Sequence, residues 1–225
     1  RKYIKEIIDL SMMMEENMRV FPGMAKPLFK KEKTHDENGL QVTRLETIVH
    51  VGTHVDSPLH VISDGEAISE ISLDKLIGKA VVLDLKYKAP GEIISTDDMT
   101  KYADEVKKGD IVIFNTGYEH YFDSDQHCIL SPDAALWLVD HEIKCLAVDI
   151  PSLDPISRKN EKASDQTHPS HHIVLGAGIP LVECLTNLDS LTQKKVFFCC
   201  LPLKISNSDV FFILTYYFRE RSCID

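Results

Sequence analysis

The sequence predicts an α/β fold with a mixed β-sheet core and flanking helices. Three observations predict it. Compact apolar runs of strand length recur along the chain, capped helical patterns lie between them, and no repeat or low-complexity tract breaks the alternation. At 225 residues and 44% hydrophobic content the chain suits one domain, 1–225, with enough apolar surface for a core.

The elements follow in order. YIKEIIDL (3–10) is amphipathic and reads as an edge strand, and FPG at 21–23 marks a turn. QVTRLETIVHVGTHVD (41–56) alternates and is rich in Val, Thr and Ile, which predicts a strand. KAVVLDL (79–85), DIVIFNTG (110–117) and CLAVDIPS (145–152) are short continuous apolar runs, the pattern of buried strands. STDDMTKYADEVKKG (95–109) carries a hydroxyl cap, acidic residues in its first turn and Gly109 at its end, so the spacing predicts a helix. SPDAALWLVDHEI (131–143) predicts a second, with Pro132 just inside its start and Trp137 packing from its middle. HHIVLGAGIPLVECL (171–185) reads as a short helix, a glycine turn and a strand, and VFFCCLPLKI and VFFILTYYF supply apolar β runs near the end.

Composition excludes several roles. Lys+Arg 25 against Asp+Glu 35 gives a net charge of −10, which argues against nucleic acid as a partner, since phosphate binding needs a basic face. The six cysteines, at 128, 145, 184, 199, 200 and 223, form no CxxC pair and read as reduced thiols. RKYIKEIIDL lacks the apolar stretch of a secretion signal, and every apolar run is far shorter than the ~20 residues that span a membrane. The expectation is a cytoplasmic protein acting on a small molecule.

HVGTHVDSPLH (50–60) concentrates three histidines and a carboxylate in eleven residues. On a helix His50 and His54 share a face, but Asp56 does not join them; on a strand all three even positions point the same way. The β-branched residues before His50, and Gly52, favour the strand. The pattern is therefore a strand-borne His-x-x-x-His-x-Asp, not a helical HExxH. Pro58 then turns the chain so that His60 can approach separately. Imidazole and carboxylate together suit a divalent ion such as Zn2+ or Mn2+. Further donors are available in His171 and in Glu183, whose carboxylate in the apolar run PLVECL would be costly to bury unpaired. Asp149 and Asp154 around Pro151 read as turn residues, with lining of a pocket mouth as the alternative; Asp64-Gly65-Glu66 reads as a turn, and Thr116-Gly117-Tyr118 ends a buried strand, either as a plain turn or where α/β sites often lie.

These stretches resemble the cyclase family that includes bacterial kynurenine formamidase and isatin hydrolase. HVGTHVDSPLH matches its His-x-Gly-Thr-His-x-Asp-x-Pro-x-His signature at every fixed position, and IIDLS, FPG, GDIVIFNTG, VDIPSLDP, HHIVLGAGIPLVECLTNLDSL and LPLKI extend the likeness from residue 7 to about 205. The resemblance implies a swivelling β/β/α-type domain. It implies metal binding by His50, His54 and Asp56, with His171 and Glu183 completing a second position bridged by Asp56. His172 is the alternative to His171, one residue out of register. It implies His60 as general acid/base in hydrolysis of a small amide, formamide or lactam, one or two metal ions per chain, and a homodimer or homotetramer. Two departures stand out: Met12 follows DLS where relatives often carry His, and SNSDVFFILTYYFRERSCID replaces their Gly-Asp-Gly-x-Pro turn and Arg-bearing strand.

Overall fold

The computed structural model describes residues 4–121, 126–156, 162 and 164–220. Its strands in chain order are β1 (Ile4–Asp9), β2 (Leu28–Lys33), β3 (Val42–Glu46), β4 (His54–Asp56), β5 (Ile77–Asp84), β6 (Ile93–Ile94), β7 (Ile111–Asn115), β8 (Ile129–Leu130), β9 (Cys145–Val148), β10 (Leu181–Glu183), β11 (Lys195–Pro202) and β12 (Val210–Glu220). The helices are α1 (His35–Asn38), α2 (Thr96–Thr100), α3 (Pro132–Asp140) and α4 (Pro169–Gly176).

Eight strands form one mixed sheet in the order β1-β12-β11-β5-β7-β9-β10-β4. The strands β5, β7, β9 and β10 are parallel, and the remaining pairings are antiparallel. The first part of β12 also pairs with β4, Phe212 opposite His54 and Val210 opposite Asp56, so the sheet curls round and closes on itself. Closure spares all but β1 from forming an open edge, in agreement with the edge strand read from YIKEIIDL.

The continuous apolar runs are explained by burial on both faces. Val82, Ile111, Ile113, Ala147, Val182, Phe198 and Tyr217 fill the inside of the curled sheet. Leu83, Phe114, Leu146 and Leu181 face the other way, under Ala134 and Leu138 of α3 and Val174 and Leu175 of α4. Trp137 packs as expected and stacks on His141 with ring centroids 3.5 Å apart.

Three expectations change. Residues 41–56 are not one strand: β3 belongs to a separate hairpin with β2, and the chain re-enters the main sheet only at His54. The break falls where Gly52 adopts φ +62°, a left-handed conformation that ends an extended run. The helix expected over 95–109 keeps its capping box of Ser95 and Asp98 but is α-helical only to Thr100. Tighter turns then carry the chain on, consistent with the poor helix propensity of Thr96, Asp97, Asp98 and Thr100. Helix α4 begins at Pro169, earlier than expected, with proline at its first position. Hairpin strand β2, LFKKEK, is too charged to have been read as a strand. The five described cysteines are free, and Cys223 lies outside the described residues.

Candidate metal centre

Pleating places the first part of the site. His54 and Asp56 lie two apart on β4 and share a face, while Val55 between them enters the core inside the curled sheet. On β10, Glu183 sits directly opposite His54, so it joins the same face. Its neighbour Val182 points the other way with Val55. Three ligand-type side chains are thereby buried together, with His54 2%, Asp56 0% and Glu183 1% exposed.

His50 reaches the group from the loop before β4 and not from a strand face. Its ring lies 4.1 Å, centroid to centroid, from that of His54, and its Nε2 is 3.7 Å from Asp56 Oδ1. The Gly52 turn makes this approach. Thr53 pins the loop, because its hydroxyl donates to Cys184 O at 2.6 Å and accepts from Met12 N at 2.8 Å. Ligand atoms of His50, His54, Asp56 and Glu183 all fall within 4.8 Å of one another.

His171, in the first turn of α4, stands beside this group with Nε2 3.3 Å from Glu183 Oε1. Its Nδ1 is 2.6 Å from Asp154 Oδ2. The same carboxylate accepts the backbone N–H of Ser170 at 3.1 Å and of His171 at 3.0 Å, capping α4 from a distant loop. Asp154 is thus a buried partner of a site histidine, not the turn residue expected, because burial at 1% exposure leaves its charge no water to face. His172, the alternative, is partly exposed on the next helix position. Asp149 is corrected likewise: buried, it accepts from Thr116 N, Thr116 Oγ1 and Tyr118 N, and so fixes the loop after β7.

His60 follows from the proline turn. Pro58–His60 form one 3-10 turn in which His60 N donates to Ser57 O at 3.0 Å. Gly65 closes over it so tightly that a Cβ there would lie 2.5 Å from the Pro58 carbonyl carbon, which is why the Asp64-Gly65-Glu66 turn needs its glycine. The His60 ring lies 4.9 Å from that of His50 and 6.4 Å from that of His171. Its Nδ1 is 3.3 Å from Asp209 Oδ2, just before β12. Asp209 lies in the stretch that departs from the resemblance, and no local pattern marks it.

The charge balance follows from burial. Burial pulls the His50 pKa down to about 4, helped by its neighbour His54, so this ring is neutral. Burial also opposes a charge on His54 and His171, but Asp56 and Glu183 outweigh it at His54 (about 9), and Asp154 and Glu183 outweigh it at His171 (about 10). Burial pushes the Glu183 carboxyl up, but the hydrogen bond from His171 and the nearby charge of the His54 ring outweigh it and hold the acid well below the usual carboxylate range. At His60 burial is outweighed by Asp56 and the bond to Asp209, and the pKa rises.

The group fits a divalent ion on an observation of its own. His54 Nε2 and both Asp56 oxygens are buried with no hydrogen-bond partner, although Asp56 Oδ1 and Glu183 Oε2 lie 3.4 and 3.3 Å from that nitrogen. Three orphaned polar atoms in one buried place are costly unless something charged binds them. His54 Nδ1 donates to Gly52 O at 2.7 Å, a bond that sets the ring's tautomer and turns Nε2 into the cluster, as the outer hydrogen bond of a metal-binding histidine would. A small cleft opens beside His50 and His54, walled by Met12, Arg19, Phe21, Tyr118, Pro151 and Ile156.

Known proteins resemble this chain in sequence and in fold. A kynurenine formamidase from Salinibacter ruber is 29% identical over 209 residues, covering 90% of this chain and 92% of the relative. A kynurenine formamidase from Bacillus cereus is 25% identical over 207 residues, covering 91% and 93%. Among solved structures, isatin hydrolase A from Labrenzia aggregata superposes with a TM-score of 0.83 at 20% identity, covering 95% of this chain and 93% of that one, a likeness of fold. A predicted metal-dependent hydrolase from Bacillus stearothermophilus gives 0.76 at 26% identity, covering 95% and 98%. The model of the Cyclase family, described as "Putative cyclase", matches residues 8–155, from β1 through the HVGTHVDSPLH segment to the loop that holds Asp154, and the chain therefore belongs to the cyclase family.

Proposed function

We propose that this chain is a metal-dependent hydrolase of small amides, acting on a formamide as the kynurenine formamidases it resembles do by name, with lactams as the neighbouring substrate class. The observation that carries the reading is the buried set of orphaned polar atoms on His54 and Asp56, with the ring of His60 4.9 Å from that of His50 beside them. His50, His54, Asp56 and Glu183 would hold the ion. Were a second ion bound, Asp56, both of whose oxygens are unpaired, would hold it together with His171 and Glu183. Imidazole and carboxylate donors favour Zn2+ or Mn2+.

When bound, a divalent ion polarises a carbonyl and eases ionisation of water. The chain's own residues supply the rest. The largely apolar walls of the cleft, Met12, Phe21, Tyr118, Pro151 and Ile156, would receive the substrate beside the cluster. His60 takes the proton of the attacking water as the C–O bond forms, and returns it to the nitrogen as the C–N bond breaks. The products are a carboxylic acid and an amine.

Hairpin β2–β3 supports assembly as a homodimer or homotetramer. Every residue of β3 is exposed, Val42 and Leu45 among them, and a two-stranded hairpin gains stability by covering such a face. Free thiols at the five described cysteines suit the reducing cytoplasm, and no helix among the described residues is long and apolar enough to cross a membrane.

The test is hydrolysis of N-formylkynurenine by protein reloaded with Zn2+ or Mn2+, beside a chelated control. Chelator-sensitive release of formate supports the reading. Metal binding without release of formate or opening of isatin contradicts it.

A further inference from the structure

We propose that Asp209 is a positioning residue for His60, whose carboxylate holds the ring in the tautomer protonated at Nδ1 and so leaves Nε2 bare to accept the proton in turnover. The inference rests on the function proposed above.

The geometry makes the contact specific. Asp209 Oδ2 lies 3.3 Å from His60 Nδ1, across 149 residues of sequence. The backbone of Asp209 is fixed independently of that contact: its carbonyl accepts Ser57 N at 2.9 Å and Ser57 Oγ at 2.7 Å. Ser57 in turn accepts His60 N through its own carbonyl. Ser57 thus ties the start of the His60 turn to the residue that faces the His60 ring. Val210, next in sequence, pairs with Asp56, so the same strand end is registered against the donor cluster.

The side-chain contact matters little for stability. The Asp209 side chain is 46% exposed and the His60 ring 26%, and ion pairs this open to solvent add little to stability. A carboxylate is an acceptor only, so it admits one neutral tautomer of the ring, with hydrogen on Nδ1. In turnover the water proton goes to Nε2, and the carboxylate balances the imidazolium until that proton passes to the leaving nitrogen. Asp209 is unchanged at the end. The analogous Asp→Asn change in Ser-His-Asp triads keeps the geometry but lowers kcat by about 10⁴ through the wrong tautomer.

The experiment compares Zn-loaded wild type with Asp209→Asn, Asp209→Glu, His60→Asn and the Asp209→Asn/His60→Asn double variant, with N-formylkynurenine as the probe. Asp209→Asn keeps the Ser57 anchor, which uses the backbone carbonyl. Expected are a loss in kcat of about 10²–10³-fold with KM within about 3-fold and zinc content unchanged, partial recovery in Asp209→Glu, and no further loss when Asp209→Asn is added to His60→Asn. Nitrogen-15 NMR of the His60 ring, identified by its disappearance in His60→Asn, should show Nδ1–H in wild type and a shift towards Nε2–H in Asp209→Asn. The spectrum needs no substrate. A wild-type ring protonated at Nε2, an Asp209→Asn rate equal to wild type, or additive losses would overturn the proposal. His60→Asn with full activity would instead sink the acid/base role of His60, while the NMR result still decides the contact.

Discussion

Asp154→Ala would test how the chain holds His171 in place. The carboxylate is 1% exposed and accepts three bonds: from Ser170 N, from His171 N and from His171 Nδ1 at 3.1, 3.0 and 2.6 Å. Burial raises the pKa of Asp154, but the His171 ring and these backbone donors outweigh it and hold the acid below its ordinary range. Alanine removes all three partners and leaves two buried N–H groups at the start of α4 without acceptors. Each costs about 1–2 kcal/mol, and a hydrogen bond to a charged ring adds about 1.5–3, so the total is about 3–5 kcal/mol after partial relaxation. For a chain of this size that lowers Tm by roughly 6–20 °C. Metal affinity should fall about 10–100-fold, since Asp154 orients His171 as outer partners orient metal ligands. Urea unfolding of metal-free protein isolates the stability effect from metal linkage. A variant within about 0.5 kcal/mol of wild type would refute the capping argument.

Three further outcomes follow from the same geometry. His60→Ala should keep its metal while losing about 10²–10⁴ in turnover, whereas Asp56→Asn should lose both; metal analysis beside kinetics separates them. Metal affinity, measured by chelator competition, should rise with pH, because protons on His54 (about 9) and His171 (about 10) compete with the ion. In metal-free protein the same two raised histidines add stability that is complete below the unfolded value of 6.5 and is lost as pH rises through about 9 and about 10, so Tm should fall over that window. Gly65→Ala should destabilise by about 1–3 kcal/mol and slow turnover, because its Cβ would press on the Pro58 carbonyl that carries the His60 turn; crystallography or thermal melts would show an unperturbed turn if this is wrong.

Much of the site was legible because its spacing carries physics. His54 and Asp56, two apart, announce a shared strand face, and Glu183 in an apolar run announces a carboxylate that must find a partner. His50 was read as a third strand residue, and the geometry differs because Gly52 takes the left-handed turn that a period-two reading ignores. The buried parallel strands were legible for a similar reason: burial on both faces leaves no polar alternation. Asp154 and Asp209 were not legible in this way. Each acts on a histidine far along the chain, 17 and 149 residues away, and near prolines or serines an aspartate looks like turn chemistry. Strand β2 escaped because it is highly charged and all but the partly buried Phe29 is exposed, so no apolar pattern marks it.

The central claim is that His50, His54, Asp56 and Glu183 hold the catalytic ion. The most direct measurement is an anomalous difference map from crystals loaded with Zn2+ or Mn2+, collected at the metal edge. A peak bonded to His54 Nε2 and Asp56, within coordination distance of His50 and Glu183, is the predicted result. Metal bound elsewhere on the chain, with this cluster left holding protons, would contradict it.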